Sequence, residues 1–487
     1  MVKPTLLLSE LCRDLGRCLR DAEVVDLVTD SRAASLGCLF VAVPGHKQHG
    51  SAFIQDAIDR GASAVLTQHD IDLPDPIGLV IVDDVRAVLG IIAARLFATA
   101  RHDQHLLAVT GTNGKTSTVQ LIAQLLTHLN CKAGTVGTLG FQLPSGERPT
   151  RNTTPDVVEI HRYLADAASE AVSWVALEAS SHGLAQQRLA GLQIGTAAIT
   201  NITQDHLDYH GSMADYIAAK AQIIELPSLN TLVMDLDDPE VRRLRAGVPA
   251  HIRVLGFSLV HERDADVVVK PQYHAFGTEA RLRLDGQDLV LQLPLVGEFY
   301  LRNTLTALLM LWAEGFALED LIRAASRLKG VPGRLERVEP ESDVAVYVDY
   351  AHTPDAIARV LQVLRPTVAN DLWVVFGCGG DRDASKRPLM GQAALSGADW
   401  VVLTSDNPRS EDPLQILNDI QKGCPNPRLV LADRAKAIET AIVSAATGDT
   451  LVIAGKGHET EQVIGDVAYP FSDVATAKAA LSLRKCA

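Results

Sequence analysis

The fold of this chain is decided by a stretch that runs from an apolar segment through two glycines into a helical pattern: Leu106-Leu107-Ala108-Val109-Thr110-Gly111-Thr112-Asn113-Gly114-Lys115-Thr116. A strand that turns through glycines into a helix is a phosphate-binding unit. Gly111 and Gly114 allow backbone N–H groups to close on phosphate oxygens. Lys115 reaches the terminal phosphates, and Thr116 offers a hydroxyl to magnesium.

The turn departs from the general pattern G-x-x-x-x-G-K-[ST] at one position, because Val109 stands where the first glycine belongs. A chance turn with a solvated lysine is the alternative interpretation. The apolar strand before the turn and the helical pattern after it favour phosphate binding, since both flanks are of the required type.

Outward from this unit, short β-branched runs alternate with helical patterns, which indicates α/β domains with largely parallel sheets. We place strands at 23–28, 38–43, 62–66, 79–82, 106–109, 174–177, 196–199, 344–348, 372–376, 400–403, 428–431 and 450–453. A polar stretch at 101–104 and the sequence Gly330-Val331-Pro332-Gly333 mark boundaries. The predicted domains are therefore 1–101, 102–331 and 332–487.

Composition excludes several classes of protein. The 487 residues are 47% apolar, and 45 basic against 59 acidic residues give a net charge of −14. Such a chain can pack cores and is not disordered, and its negative charge argues against nucleic-acid binding. No apolar run suits a signal peptide or a membrane span, and the seven cysteines, without a Cys-x-x-Cys pair, fit neither a disulfide framework nor a zinc site. We therefore expect a cytoplasmic protein.

Polar residues follow the predicted strands of the central domain, where parallel sheets bind ligands. Glu178 suits a metal ligand or a water-positioning role, although a lone glutamate is more often a surface carboxylate. His206 could ligate a second metal ion, although a lone histidine is usually structural. Lys220 lies on an amphipathic helical pattern, where a solvated lysine is the ordinary interpretation. Because three strand ends deliver lysine, carboxylate and imidazole to one edge, we interpret Lys115, Glu178 and His206 as one site.

Two further polar turns lie in the C-terminal domain. The first is Asp406-Asn407-Pro408-Arg409, in which Arg409 offers a guanidinium fork that suits a carboxylate, with an exposed arginine on a turn as the alternative. The second is Gly377-Cys378-Gly379-Gly380-Asp381-Arg382-Asp383. It lacks the G-x-G-x-x-G spacing, which argues against NAD binding.

Together these motifs resemble the ATP-dependent Mur ligases of bacterial peptidoglycan synthesis over essentially the whole chain, and the variant phosphate loop is the form which that family carries. The matching segments are Thr29-Asp30-Ser31-Arg32, Gly45-His46, Asn152-Thr153-Thr154-Pro155, Glu178-Ala179-Ser180-Ser181-His182-Gly183-Leu184, Asp205-His206-Leu207-Asp208-Tyr209-His210-Gly211, Val348-Asp349-Tyr350-Ala351-His352-Thr353-Pro354-Asp355 and Gly455-Lys456-Gly457-His458-Glu459. The fold implied is a three-domain α/β architecture. A central P-loop ATPase-like domain with a parallel sheet is flanked by an N-terminal UDP-binding α/β domain and a C-terminal Rossmann-like domain.

The resemblance implies a role for each matching residue. ATP would bind the phosphate loop together with Asn303, Arg334 and Asp349. Catalysis would rest on Lys115, Glu178, His206 and Lys220. Magnesium would be held by Thr116, Glu178, His206 and Lys220, the last as a carbamate. The UDP-linked dipeptide would contact Ser31, His46, Lys47, Gln48, His49, Asn152, Thr153, Thr154, Ser180, Gln186 and Arg188. The amino-acid substrate would contact Arg382, Asp406, Asn407, Pro408, Arg409, Gly455 and Glu459.

Within the family the chain is similar to members that add the third residue of the stem peptide to UDP-N-acetylmuramoyl-L-alanyl-D-glutamate. Those that add meso-2,6-diaminopimelate carry Asp-Asn-Pro-Arg, as here, whereas lysine-adding relatives replace the arginine. The Arg409 guanidinium would pair with the distal carboxylate that lysine lacks. The reaction implied is phosphorylation of the D-glutamyl side-chain carboxylate by ATP, followed by attack of the amine on the acyl phosphate.

Several alternatives and one departure remain. The L-lysine-adding relative, another Mur ligase, folylpolyglutamate synthase and a P-loop switch protein share the phosphate loop. The departure is Tyr300, which stands where family members usually carry asparagine, in the run Gly297-Glu298-Phe299-Tyr300-Leu301-Arg302-Asn303. We expect a monomer whose partners are its small-molecule substrates, with no nucleic acid and no membrane.

Overall fold

The computed structural model describes residues 5–44, 49–99, 103–260, 265–274, 277–338 and 342–486. The predicted substrate residues His46, Lys47 and Gln48 lie outside that part of the chain. The chain divides into two compact units. The first comprises Met1–Val269, Leu282–Asp288 and Arg302–Ala324, and the second comprises Lys270–Arg281, Leu289–Leu301 and Ala325–Ala487. Within the described ranges, no helix combines the length and the apolarity that a bilayer span requires.

The first unit begins with a five-stranded sheet. Its strands, in spatial order, are Arg17–Arg20, Gly78–Ile81, Ala62–Thr67, Cys38–Val41 and Asp26–Val28. The first pair runs antiparallel and the others run parallel. Two short strands, Leu6–Leu7 and Glu23–Val24, pair beside it, and the helices are Leu8–Leu11, Ile54–Asp59 and Val85–Leu96. The four strands predicted for this region are all observed, although the one at 23–28 is divided in two.

This sheet region shares a core with the next part of the first unit. Val157 and Val158, at the start of the helix Val157–Ser169, are buried in one hydrophobic cluster with Leu89 and Ile92. Gly90 packs so closely on the backbone at Ala190 that any side chain there would overlap it. Continuous packing of this kind explains why both regions fall in one compact unit, whereas the predicted boundary at 101 stays a prediction.

The large sheet of the first unit carries the phosphate loop. Its strands, in spatial order, are Gly146–Arg148, Gly140–Leu143, Ala133–Gly137, Trp174–Glu178, His105–Thr110, Ile194–Ile199, Thr231–Asp235 and Arg253–Ser258. Val267–His274, Gly277–Leu284 and Gln287–Leu293 follow in the same sheet, and the division between the two units runs through them. From Ala133–Gly137 to Arg253–Ser258 every neighbouring pair is parallel. Thr110, Glu178 and Ile199 therefore end their strands at one edge.

Helices cover the parallel strands of this sheet. They are Lys115–His128, Val157–Ser169, Ser181–Ala185, Leu207–His210, Met213–Ala221, Pro239–Arg245, Glu298–Ala313 and Leu318–Ala325. Side-chain caps begin several of them: Asp156 accepts from the Glu159 N–H, and Ser212 from the Asp215 N–H. The predicted strands 106–109, 174–177 and 196–199 are thus observed with a helix after each.

The second unit is built on its own sheet. The spatial order is Glu336–Arg337, Ala345–Asp349, Thr450–Ala454, Leu372–Phe376, Trp400–Leu403 and Leu429–Val430, and all pairs after the first are parallel. The helices are Pro354–Leu364, Lys386–Gly397, Pro413–Gln421, Arg434–Ser444 and Asp473–Cys486. A separate hairpin pairs Glu461–Ile464 with Val467–Pro470. All five strands predicted here are observed, and the polar turns follow their carboxyl ends.

Candidate active site

The phosphate-loop stretch folds as strand, turn and helix. The strand His105–Thr110 ends in a turn, and the helix Lys115–His128 follows with Gly114 as its N-cap residue. Gly114 has φ +90°, a left-handed conformation that favours glycine, and a Cβ there would overlap Oδ1 of Asn303. The turn places a helix N-terminus at the carboxyl edge of the sheet, an arrangement that attracts phosphate.

Side chains that follow the neighbouring strand hold this turn in place. The Thr200 hydroxyl donates to the Asn113 carbonyl over 2.6 Å. The Asn201 side chain brackets the same residue, because its Nδ2 donates to Asn113 O and its Oδ1 accepts from Asn113 N, both over 3.0 Å. Thr112 Oγ1 lies 2.9 Å from the Tyr216 hydroxyl and donates to a main-chain carbonyl. The loop conformation is therefore fixed by its surroundings.

Two lysines converge on one carbonyl of the turn. Lys115 Nζ donates to Gly111 O over 2.8 Å, and Lys220 Nζ donates to the same oxygen over 2.7 Å. Lys220 is 1% exposed, and its Nζ lies 4.6 Å from the centre of the Tyr216 ring. Burial lowers the pKa of Lys220 well below its ordinary value, and the charge of Lys115 lowers it further, against the opposing effect of Asp205. The buried amine is therefore driven toward its neutral, nucleophilic form.

Glu178 is buried at the end of its strand and is held by two threonines. Its Oε2 accepts from the Thr116 hydroxyl over 3.0 Å, and its Oε1 accepts from the Thr138 N–H over 2.7 Å. Glu178 and Thr116 are 1% and 6% exposed. The structure thus joins two of the predicted metal ligands, a hydroxyl and a carboxylate.

The predicted imidazole ligand, His206, is more exposed than Glu178 and Thr116. The His206 side chain is 52% exposed, with Nε2 3.5 Å from Asp205 Oδ2. Its ring centroid lies 4.9 Å from that of His182. Across the described ranges, no three His, Cys, Asp or Glu side chains form a group that could hold a metal ion. The described contacts of His206 are thus with Asp205 and His182.

Most of the residues predicted to contact the dipeptide form one network. Thr154 Oγ1 donates to the Glu178 carbonyl over 2.7 Å and accepts from the Ser180 N–H over 2.9 Å. The Arg188 guanidinium donates to Gln186 Oε1 and to the Thr154 carbonyl, and burial lowers its pKa. Thr153 reaches the same region, with Oγ1 3.2 Å from the hydroxyl of Thr138. Asn152 is exposed beside them.

The predicted substrate residues near the start of the chain have local roles in the structure. Ser31 is 5% exposed, in a short helix that Asp30 caps by accepting from the Arg32 N–H. His49 Nδ1 accepts from the Ser51 N–H over 3.2 Å. Ser31 is therefore buried in a capped turn of the first unit, and the His49 side chain caps a second short helix.

In the second unit, Asp349 is a buried acceptor for two backbone groups. Its carboxylate accepts from the Leu335 and Ala351 N–H groups over 2.7 and 2.8 Å, and burial raises its pKa. The Arg334 guanidinium lies 4.9 Å from the centre of the Tyr350 ring. The two predicted nucleotide residues of this unit are therefore ordered by neighbouring groups.

The turn 406–409 is clamped by the hairpin that follows it. Arg409 has φ +50°, and its N–H donates to Val463 O over 3.1 Å while its carbonyl accepts from Gly465 N over 2.8 Å. Its Nη1 donates to the Gly380 carbonyl over 2.7 Å. Arg409 makes no ion pair within the described ranges, which leaves its fork available to a carboxylate.

A buried lysine that the sequence prediction missed organises the same turn. Lys456 is 0% exposed, and its Nζ donates to Asn407 Oδ1 over 2.9 Å and to Glu459 Oε2 over 2.7 Å. Asn407 Nδ2 donates to the same Glu459 oxygen over 2.9 Å. Asp406 is buried next to them, with its pKa raised by burial, and a Cβ at Gly455 would crowd its carboxylate. Two predicted residues, Asn407 and Glu459, are therefore joined through Lys456, with Asp406 and Gly455 packed beside them.

The sequence prediction missed two residues that bind predicted ones, and it named one residue, Arg382, that lies outside the observed network. Arg382 is exposed and makes no side-chain hydrogen bond or ion pair within the described part of the chain. Thr138 and Tyr209 bind predicted residues, since Tyr209 OH accepts from Gln186 Nε2 over 3.0 Å. Tyr209 lies in the matched run at 205–211, so that run was the available signal, whereas nothing in the sequence marks Thr138.

Comparisons with known proteins agree along most of the chain. Three family models match it: "Mur ligase family, catalytic domain" at residues 23–96, "Mur ligase middle domain" at 109–311 and "Mur ligase, glutamate ligase domain" at 333–457. A curated protein of Alkalilimnicola ehrlichii is 42% identical over 470 residues, covering 93% of this chain and 94% of that one. One from Pseudomonas aeruginosa is 42% identical over 468 residues, with 95% and 96% covered. Both are named UDP-N-acetylmuramoyl-L-alanyl-D-glutamate--2,6-diaminopimelate ligase.

Solved structures agree with this similarity. One named for the same ligase superposes with a TM-score of 0.75 at 35% identity, covering 99% of this chain and all, 100%, of that one. The MurF ligase of Thermotoga maritima, solved in complex with ADP, gives a TM-score of 0.63 at 19% identity over 95% of this chain and 98% of that one. The second match shows a shared fold.

Proposed function

This chain belongs to the Mur ligase family, and from that premise we propose that it adds meso-2,6-diaminopimelate to the D-glutamyl γ-carboxylate of UDP-N-acetylmuramoyl-L-alanyl-D-glutamate with consumption of ATP. The names of relatives that are 42% identical over more than nine-tenths of the chain support the reaction. The observation that carries the choice of amino acid is Arg409, whose main chain is clamped and whose guanidinium makes no ion pair within the described ranges.

The reaction proceeds through an acyl phosphate. The γ-carboxylate attacks the terminal phosphorus of ATP, and ADP leaves. The amine of diaminopimelate, after loss of a proton, then attacks the acyl carbon, and the tetrahedral adduct collapses to an amide and inorganic phosphate. The protein contributes positioning and neutralisation of charge, for which Lys115 at the turn and the N-terminus of its helix are suited.

Magnesium fits the buried pair at the end of the loop. A hydroxyl and a carboxylate, Thr116 Oγ1 and Glu178, are oxygen donors of the type that Mg²⁺ prefers, and they lie side by side over 3.0 Å. We propose that these two residues hold the ion, with His206 and Lys220 as the further ligands. When bound, the ion would neutralise the charge of the triphosphate.

Lys220 would act as a carbamate. Its neutral amine would add to the carbon of CO₂ and release a proton, which converts a buried cation into an anionic oxygen donor. Burial beside Lys115 supports this proposal, because the same two causes that lower the pKa of Lys220 favour the reactive free amine.

The remaining assignments follow the family. Adenine and ribose would be contacted by Asn303, Arg334 and Asp349. The UDP group would be contacted by Ser31 and residues 46–49. The dipeptide would be contacted by the network around Thr154 and Arg188. Arg409 would bind the distal carboxylate of diaminopimelate, in a pocket completed by Arg382, Asp406, Asn407, Pro408, Gly455 and Glu459. We propose that domains 1–101, 102–331 and 332–487 supply these sites. The enzyme would be a monomer. It would be cytoplasmic, where the six described cysteines, which form no disulfide, would stay reduced.

An ADP-release assay tests the function. The purified chain receives ATP, magnesium and UDP-N-acetylmuramoyl-L-alanyl-D-glutamate, and the rate is measured with meso-2,6-diaminopimelate, L-lysine, D-alanyl-D-alanine or no amine. We expect ADP release with diaminopimelate only. Turnover with lysine would assign the chain to the lysine-adding relatives. ATP hydrolysis independent of the UDP-linked dipeptide would identify a P-loop switch protein and refute the proposal.

A further inference from the structure

Tyr300 is a buried phenol with two hydrogen bonds to one turn. It is 2% exposed, near the start of the helix Glu298–Ala313. Its hydroxyl accepts from the Val331 N–H over 2.9 Å and donates to the carbonyl of Arg334. The phenolic hydroxyl therefore donates to one end of the four-residue turn 331–334 and accepts from its other end.

That turn is tightly packed on further groups of the second unit. Val331 and Arg334 face each other as an isolated bridge, and the Arg334 N–H donates to the Val331 carbonyl over 3.0 Å. Gly333 has φ +65°, and a Cβ there would overlap the backbone of the 457–458 loop. Immediately after the turn, the Leu335 N–H binds Asp349. The main chain of Arg334 is thus held on both sides.

We propose that Tyr300 is a positioning residue for nucleotide binding, which acts by fixing the turn 331–334 and thereby the direction of the Arg334 side chain. The proposal rests on the proposed function, in which Arg334 contacts the nucleotide. Its guanidinium leaves the turn toward the Tyr350 ring, 4.9 Å away, so that its direction depends on where the turn places its Cα. Tyr300 itself has no atom exposed enough to serve as a contact for a ligand.

The physical argument is the cost of a buried unpaired group. Val331 is 0% exposed, so in a Tyr300→Phe variant its N–H loses its partner without gaining water. Such a loss is unfavourable, and the turn relieves it by moving. If Arg334 is then correctly placed in only a fraction of molecules, the apparent affinity for ATP falls by that fraction. We expect the KM for ATP to rise roughly tenfold, which corresponds to about 1.4 kcal/mol.

A double-mutant cycle tests the proposal. We compare Tyr300→Phe, Arg334→Gln and the double variant by ADP release, with the KM values for ATP, diaminopimelate and the UDP-linked dipeptide. Tyr300→Phe is expected to raise the KM for ATP alone, and to have no further effect when Arg334 is already Gln. Tyr347→Phe is the matched control, because that buried phenol in the same unit makes no hydrogen bond within the described ranges and should leave all KM values unchanged.

Several outcomes would overturn the proposal. They are an equal rise in all three KM values, a full effect of Tyr300→Phe in the Arg334→Gln background, or an unchanged KM for ATP in a folded variant. Should the variant not fold, amide hydrogen exchange of the wild-type chain decides, since the Val331 N–H must exchange slowly and fast exchange contradicts the hydrogen bond. Wild-type turnover with diaminopimelate is measured first. Its absence refutes the proposed function, whereas a failed cycle on an active enzyme refutes only the role of Tyr300.

Discussion

Replacing Arg409 by glutamine should cost the enzyme its preference for diaminopimelate over lysine. The turn is rigid, because the main chain of Arg409 is bonded to Val463 and Gly465, and the guanidinium is already oriented by the Gly380 carbonyl. Glutamine keeps a Cβ at the same φ of +50°, so the backbone strain is unchanged. The variant therefore removes the cationic fork together with its hydrogen bond to the Gly380 carbonyl.

The size of the effect follows from the exposure of the turn. A hydrogen bond to a charged group contributes about 1.5–3 kcal/mol, and a bidentate pair adds geometric specificity. Arg409 is partly exposed, so solvent screens the pair, and we take about 2–3 kcal/mol for the whole interaction. At 1.4 kcal/mol per tenfold change, kcat/KM for diaminopimelate should fall roughly 30- to 150-fold.

The assay is ADP release at saturating ATP and UDP-linked dipeptide, with diaminopimelate or L-lysine as the varied amine. Lysine has no distal carboxylate, so its kcat/KM should not change in the variant, and the ratio between the two amines should fall. Arg359→Gln, an exposed arginine on a helix of the same unit, is the control. Equal losses for both amines, or a proportionate rise in the KM for ATP, would show that Arg409 is structural.

Three further predictions concern the phosphate loop and the buried titratable groups. Lys115→Ala should abolish ligation, because it removes the ammonium at the turn that is suited to neutralise the phosphates of ATP; near-normal turnover would contradict this. Because the pKa of Lys220 is lowered from 10.5, the unfolded chain binds a proton below that pH that the folded chain does not, so this group makes the folded state more stable as the pH rises. In bicarbonate-free buffer, the melting temperature of Lys220→Met should therefore exceed that of the wild-type chain most at acidic pH. Burial lowers the pKa of His161 from 6.5 to about 4, so stability should fall by about 3 kcal/mol as the pH falls through that window. Urea midpoints of His161→Gln should show a smaller fall, and an identical fall would contradict the assignment.

The fold class and most of the parallel strands could be predicted from the sequence because their signal is local. The three-domain α/β prediction is confirmed by the family models and by the structural neighbour at a TM-score of 0.75. Strands such as Leu372–Phe376, buried at every position, appear as short apolar runs between helical patterns. No strand was predicted between 199 and 344, so the largely buried Thr231–Asp235 and Arg253–Ser258 were missed, as were Val267–His274 and Gln287–Leu293. The last two are partly exposed and polar, and strand preference at such positions depends on the neighbours rather than on the residue itself.

At the candidate active site, contacts between side chains that are distant in the sequence could likewise not be predicted. The run 297–303 identified Tyr300 as unusual, but its hydrogen-bond partner Val331 lies 31 residues further along the chain, and no local pattern connects the two. Lys456 was quoted only as part of a motif, whereas its buried ammonium joins Glu459 to Asn407, which lies 49 residues before the lysine. Motifs name the residue types that meet a ligand, because those follow strand ends. The residues that orient them are fixed by packing between distant segments, so a lysine or a phenol that binds only protein atoms has no signature until the fold is known.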